Sequence, residues 1–206
     1  MYVLLLAEGF EEVEAVTPAD FLRRAGIDVR LVGVTEKIVA GSHGIRIAAD
    51  TTLEELGDKT PPLGRPEAPS GGGADIEGII VPGGMPGAAN IAASEAALAL
   101  IHGAFAAGKL VAAICAAPAV VLTAAGIVGG RRVTCFPGFE ERFAGSGAHF
   151  IEDRVVEDGN LITSRGAGTA AEFAIRIIER ISGRDKALEV HRRTLQPSTA
   201  GPGAKH

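Results

Sequence analysis

The chain has no tryptophan and a single tyrosine among 206 residues, and aromatics make up only 4%. A surface that stacks single-stranded bases would have few platforms here. Positive charge is not in excess either. Twenty Lys and Arg against 25 Asp and Glu leave a net charge of -5, which argues against phosphate-backbone binding. Two cysteines, Cys115 and Cys135, are too few for a disulfide scaffold and lack the companions of a zinc site, so any role they have is as thiols. No run approaches the roughly 18 apolar residues that span a bilayer. The stretch Met1 to Leu6 has no basic leader and is followed at once by Glu8, which is not the pattern of a secretory signal. The expectation is a soluble cytoplasmic protein with no membrane, metal or cofactor requirement.

What is present is ordinary globular chemistry, with 47% hydrophobic and 22% charged residues. A buried strand is expected over the first six residues, then a helix from Glu11 to Ala25 interrupted at Pro18, then a second strand at Val29 to Val34. That β-α-β order calls for parallel pairing with a right-handed crossover. Lys37 to Ala40 and Ile45 to Ala48 read as a small hairpin, and Thr51 to Leu56 as a short helical turn. Residues 57–73 gather Pro and Gly without periodicity and read as a surface loop. The rhythm then resumes with a strand at Gly78 to Val81, a helix capped by Ser94, a strand at Lys109 to Ile114, and a helix from Ala116 to Ala125. Arg132 to Cys135 is expected as a strand, residues 155–163 as a hairpin, and Thr169 with Glu172 as the capping box of a further helix. A last helix is expected from Asp185 to Arg193. The whole reads as one doubly wound α/β domain over residues 1–193, with a flexible tail at 194–206. Such folds bind ligands at the carboxyl ends of their strands.

Three places on that edge carry chemistry. Cys115 falls between a strand and a helix among small residues, the placement of a nucleophile on a sharp turn. A helix N-terminus beside it would lower its pKa from about 8.5 toward roughly 3.5 to 7.5. Position alone leaves a buried inert cysteine equally open. Pro82-Gly83-Gly84 ends another strand, where backbone N–H groups could meet an oxyanion or make an ordinary tight turn. Glu11, Glu12 and Glu14 share the turn after the first strand, and nothing in the spacing selects among them. His102, His149, His191 and His206 read as surface residues.

Taken in order, Glu11-Glu12-Val13-Glu14, Arg23-Arg24-Ala25-Gly26, Val81-Pro82-Gly83-Gly84, Ala112-Ala113-Ile114-Cys115-Ala116 and Thr163-Ser164-Arg165-Gly166 resemble the ThiJ/PfpI superfamily, and within it the parkinsonism-associated deglycase (DJ-one-like) branch. The resemblance runs from Met1 to about Arg180. It implies a flavodoxin-like three-layer sandwich with a mostly parallel central sheet, a homodimer with the first helix near the interface, and a reactive Cys115. It selects Glu14 as the carboxyl facing the sulfur, places oxyanion donors at Gly83, Gly84 and Ala116, and puts Arg24, His43 and Phe136 around the substrate. Two departures stand out. Phe136 occupies the place of a histidine in Val133-Thr134-Cys135-Phe136-Pro137 and cannot act as a base, and His43 stands where animal relatives carry arginine.

The function so implied is a cofactor-independent glyoxalase or deglycase. Its partner would be a small aldehyde or a glycated protein or nucleotide adduct, the one form in which nucleic acid would be met. Cys115 would be the nucleophile and Glu14 the proton shuttle, with Glu14 protonated at rest and donating to a thiolate. The alternative is an oxidative-stress sensor or redox-regulated chaperone using the same cysteine. A PfpI-type peptidase is weaker, because Phe136 removes the histidine of a Cys-His pair.

Overall fold

The computed structural model describes residues 1–57 and 76–197. Almost all of the loop expected at 57–73, and the tail from 198 onward, lie outside the described residues. Seven strands form the central sheet in the order β10-β11-β7-β6-β1-β2-β5: β1 (Tyr2–Leu6), β2 (Val29–Gly33), β5 (Thr51–Thr52), β6 (Gly78–Val81), β7 (Leu110–Ile114), β10 (Val155–Asp158) and β11 (Leu161–Ser164). All neighbours pair parallel except β10 against β11. β1, β6 and β7 are buried at every residue, and so are written as near-continuous apolar runs rather than alternations.

Alternation decides which helix layer each side chain meets. Val3, Leu5, Ile79, Val81, Val111 and Ala113 face one way, into a core shared with α3 (Gly87–Ala92) and α4 (Glu95–Ala106). Leu4, Leu6, Ile80, Ala112, Ile114 and Ile162 face the other, against α1 (Glu12–Arg24), α5 (Ala170–Ser182) and α6 (Arg184–Arg193). The result is the three-layer α/β sandwich with a mostly parallel sheet. The chain leaves β1 toward β2 and β5 on one side, then returns to β6, β7 and β11 on the other. The strand order therefore reverses beside β1, and that reversal opens a crevice at the carboxyl ends of β1, β6 and β7. The hairpin β3 (Ile38–Ala40) and β4 (Arg46–Ala48) lies outside the sheet, and α2 (Leu53–Gly57) follows β5 directly. Among the described residues, no helix is long and apolar enough to cross a membrane.

Several local expectations are corrected. The first helix runs through Pro18 without a break. The proline removes only the donor that would meet the Glu14 carbonyl, and its buried ring packs with the apolar face. The Gly-rich turn after β6 contains a helix of its own, α3, before Ser94 caps α4 through the Ala97 N–H. The helix after β7 takes a π turn over Pro118–Leu122. Only Arg132–Val133 of the expected 132–135 strand is a strand (β8), and it pairs with β9 (His149–Phe150) rather than with the main sheet. The capping box at Thr169 does not form. The Thr169 hydroxyl turns back to Gly166, and Glu172 pairs with Arg154 at 2.8 Å.

Candidate active site

Cys115 follows the last residue of β7 with φ 65°, the left-handed region that costs a side-chain-bearing residue about 1 to 3 kcal/mol. Both of its peptide groups are held. Its N–H donates to the Ser164 carbonyl at 2.9 Å, and its own carbonyl accepts the Phe136 N–H at 2.8 Å. The ends of β7 and β11 and the segment after β8 thus fix the turn between them. Small neighbours make room for it: a Cβ built on Gly83 would lie 2.6 Å from the Cys115 Cβ and 2.8 Å from Glu14 Oε2.

Glu14 arrives from the first turn of α1. Two loops that interlock through glycine hold it there: Glu11 N–H donates to the Gly83 carbonyl at 3.0 Å, and a Cβ on Gly84 would collide with the Glu11 nitrogen. The carboxyl is 1% exposed. Its Oε2 accepts the Gly83 N–H at 2.9 Å, whereas Oε1 is buried with no hydrogen-bond partner. Burial raises its pKa from 4.5 to about 7, against the opposing pull of Cys115 and the Gly83 N–H. The elevation that a neighbouring thiolate was expected to cause comes instead from desolvation, and Cys115 pulls the other way.

The expected low-pKa thiolate is not found. Burial, and then the charge of Glu14, push the Cys115 thiol up to about 12, while the Gly84 and Ala116 N–H groups pull it down. The N–H donors are outweighed first by burial and then by the Glu14 carboxylate against the same sulfur. With Glu14 ionised the proton therefore resides on sulfur, and the carboxylate beside it is a base whose pKa lies near neutral pH, within reach of that proton. The orphaned Oε1 is where that proton would be received.

The other residues singled out in the sequence divide sharply. Gly84 and Ala116 present their N–H groups to the Cys115 sulfur. Gly83 does not offer its N–H to an oxyanion, because Glu14 already holds it, and its contribution is the missing Cβ. Phe136 is half exposed and borders the site through Gly166. His43 sits on the β3–β4 turn, where its Nδ1 lies 3.0 Å from Glu12 Oε2 and its N–H donates to Glu12 Oε1 at 2.9 Å. Burial alone would raise Glu12, but His43 and the His43 and Ile45 N–H groups outweigh it and hold Glu12 at about 2. His43 is raised in turn by its hydrogen bond to Glu12. Glu11, Glu12 and His43 also bring their ligand atoms within 4.8 Å of one another, the described group whose spacing suits a metal ion. Arg24 is not brought to the site. It lies ten residues along α1 from Glu14, about 15 Å at the helical rise, and pairs with Asp20. Cys135 is fully buried, and burial pushes it up to about 12. His102 and His149 are exposed, His191 is half-buried, and His206 lies outside the described residues.

Sequence reasoning missed the supporting turn after β11. Ser164 Oγ and Thr169 Oγ1 are 2.6 Å apart, and Thr169 Oγ1 accepts the Gly166 N–H at 3.1 Å, all buried. A Cβ on Gly166 would lie 3.1 Å from the Phe136 ring and 3.9 Å from Glu14 Oε1. The Ser164-Arg165-Gly166 motif was the available signal, but it carries no chemistry until the fold brings it under Cys115.

The family described as DJ-1/PfpI matches residues 2–180. The chain belongs to the DJ-1/PfpI family. It is 36% identical over 186 residues to Protein DJ-1 homolog B of Arabidopsis thaliana and 37% identical to homolog A. The alignment takes in 90% of this chain but only 39% and 44% of those two proteins, so the chain spans less than half their length. It is also 36% identical to the glutathione-independent glyoxalase DJR-1.2 of Caenorhabditis elegans, covering 89% of both chains. The solved structure of oxidised Toxoplasma gondii DJ-1 superposes with a TM-score of 0.82 at 33% identity, over 94% of this chain and 97% of that one.

Proposed function

We propose that this member of the DJ-1/PfpI family is a cofactor-independent glyoxalase and deglycase, acting on methylglyoxal, glyoxal or their protein and nucleotide adducts. The observation that carries the reading is the buried Glu14 carboxyl, raised to about 7, set against a cysteine held at φ 65°. A relative named as a glyoxalase supports it. Glu14 takes the Cys115 proton as the sulfur attacks the aldehyde carbon, the new oxyanion is met by the Gly84 and Ala116 N–H groups, and Glu14 then hands the proton to it to give the hemithioacetal. The hemithioacetal then passes a proton between its two carbons through Glu14, giving a thioester of the 2-hydroxy acid. Water hydrolyses it to lactate from methylglyoxal or glycolate from glyoxal and returns the thiol. From an imine adduct the same attack gives a hemithioaminal, the same proton shift gives a thioimidate, and water releases first the amine and then the 2-hydroxy acid. The enzyme would act as a cytoplasmic homodimer.

A second reading has its own support in the oxidised Toxoplasma relative. Cys115 would be oxidised by a peroxide to sulfenate and then sulfinate, with protonated Glu14 Oε1 donating to the new oxygen. Lactate formation from methylglyoxal by wild type beside Cys115→Ser decides between them. Turnover by wild type alone supports the enzyme. No turnover by wild type, with peroxide consumed stoichiometrically at Cys115, supports the sensor.

A further inference from the structure

We infer that Phe136 sets the substrate class of this site, favouring uncharged aldehydes that carry an apolar, preferably aryl, substituent; the inference rests on the proposed aldehyde chemistry. Phe136 is 44% exposed, yet it is not loosely held. Its backbone N–H is bonded to the Cys115 carbonyl at 2.8 Å, so the main chain that carries the ring is tied to the nucleophile's own peptide. On one side Phe139 braces it edge-on, with centroids 6.4 Å apart and planes at 77°. On another it rests against Gly166, whose open Cα face lies toward Glu14 Oε1. An exposed ring fixed beside a thiol and a carboxyl presents apolar area that only a bound group can cover.

The loop bordering the sulfur from β6 carries a second exposed apolar side chain. Met85, 45% exposed, follows Gly84, whose N–H faces Cys115. Charge selects in the same direction. The acids Glu11, Glu12 and Glu14 converge here, and the basic residues on the surrounding loops are engaged. His43 holds Glu12 at 3.0 Å, while Arg165 pairs with Glu152 at 3.7 Å and lies over the Phe150 ring at 5.9 Å. Arg142, in the segment after Phe136, lies over the Phe139 ring at 5.6 Å, so among the described residues no ion pair offsets the Glu14 carboxylate against an anionic substrate. A neutral carbonyl compound with an apolar arm avoids that repulsion and covers the ring.

Two measurements test this, one of them independent of turnover. First, the rates of Cys115 modification by N-phenylmaleimide and N-ethylmaleimide are compared by peptide mapping in wild type, Phe136→Ala and Phe136→Leu, each rate divided by that of free glutathione. The phenyl-to-ethyl ratio should fall at least five-fold in Phe136→Ala and less than two-fold in Phe136→Leu, which keeps apolar bulk. Iodoacetamide should also outpace iodoacetate at least ten-fold on the same glutathione-normalised scale. Second, kcat/KM for phenylglyoxal relative to glyoxal should fall at least five-fold in Phe136→Ala, mainly through KM for the aryl substrate. An unchanged maleimide ratio in Phe136→Ala, or iodoacetate as fast as iodoacetamide, overturns the inference. Absence of turnover in wild type overturns the proposed function instead, and the labelling ratios still decide the role of Phe136.

Discussion

Glu14 is the residue on which the chemistry and the stability both turn. Its folded pKa, raised by burial from 4.5 to about 7, means that the folded state holds a proton that the unfolded chain has released across that interval. The sign follows: this group's contribution is fully present below about 4.5 and is lost as pH rises through about 7. Glu14→Gln keeps the shape without the charge, so it should match wild type near pH 4 and exceed it by about 3 kcal/mol at pH 8. Urea unfolding at the two pH values checks this. The same variant should lose at least about 10²-fold in methylglyoxal turnover, together with the limb of the pH-rate profile that rises near pH 7. Wild-type turnover by Glu14→Gln would remove the carboxyl from the mechanism. Higher stability with lower activity is the signature expected of a group held charged for catalysis.

At the scale of elements, the site is made where the ends of β1, β6, β7 and β11 meet. β7 supplies Cys115, α1 supplies Glu14, the β6 loop supplies donors and clearance, and the turn after β11 locks the cysteine backbone. Thr169 ties that last turn together through Gly166 and Ser164 while touching neither Cys115 nor Glu14 in any described hydrogen bond. Thr169→Val preserves volume but strands the buried Gly166 N–H, while Ser164 Oγ keeps its bond to the Arg154 carbonyl at 2.8 Å, at a cost of about 1 to 3 kcal/mol. The variant should unfold at correspondingly lower urea. It should also lose kcat for methylglyoxal with little change in the pH at which the profile breaks, because Glu14 keeps its surroundings. A displaced break would mean that Thr169 acts on the carboxyl rather than on the turn.

For the whole molecule, the unpaired outer face of α1 is the feature that asks for a partner. Val13 and Val16 are each 48% exposed one turn apart, with Asp20 and Arg24 paired just beyond them. An apolar strip bordered by complementary charges suits a twofold contact in which the same strip meets itself. Light scattering at micromolar concentration should give about twice the chain mass, and Val16→Asp should shift it toward one. A wild-type monomer would defeat the homodimer. Because α1 also carries Glu14, the monomeric variant should lose activity along with mass.

The sequence by itself determined the doubly wound α/β class and the strand-to-helix position of Cys115. Those follow from chain-local rules: apolar runs too short for helices, and a thiol at a strand end among alanines; that a Cβ at 83 or 84 has no space is decided by Cys115, Glu14 and Glu11, which only the fold brings there. It could not choose Glu14 over Glu11 and Glu12 by spacing, since all three lie within one helical turn; resemblance made that choice, and burial beside Cys115 supplied its physical ground. Nor could it show that Arg24 lies far from the thiol, that the Gly83 N–H is taken by Glu14, or that Thr169 caps a turn instead of a helix. Protonation was the least legible property. A helix N-terminus beside a cysteine argues for a thiolate, but burial and a carboxylate from 101 positions away in the chain reverse the balance. Long-range packing sets desolvation, and desolvation is not written in any local stretch of residues.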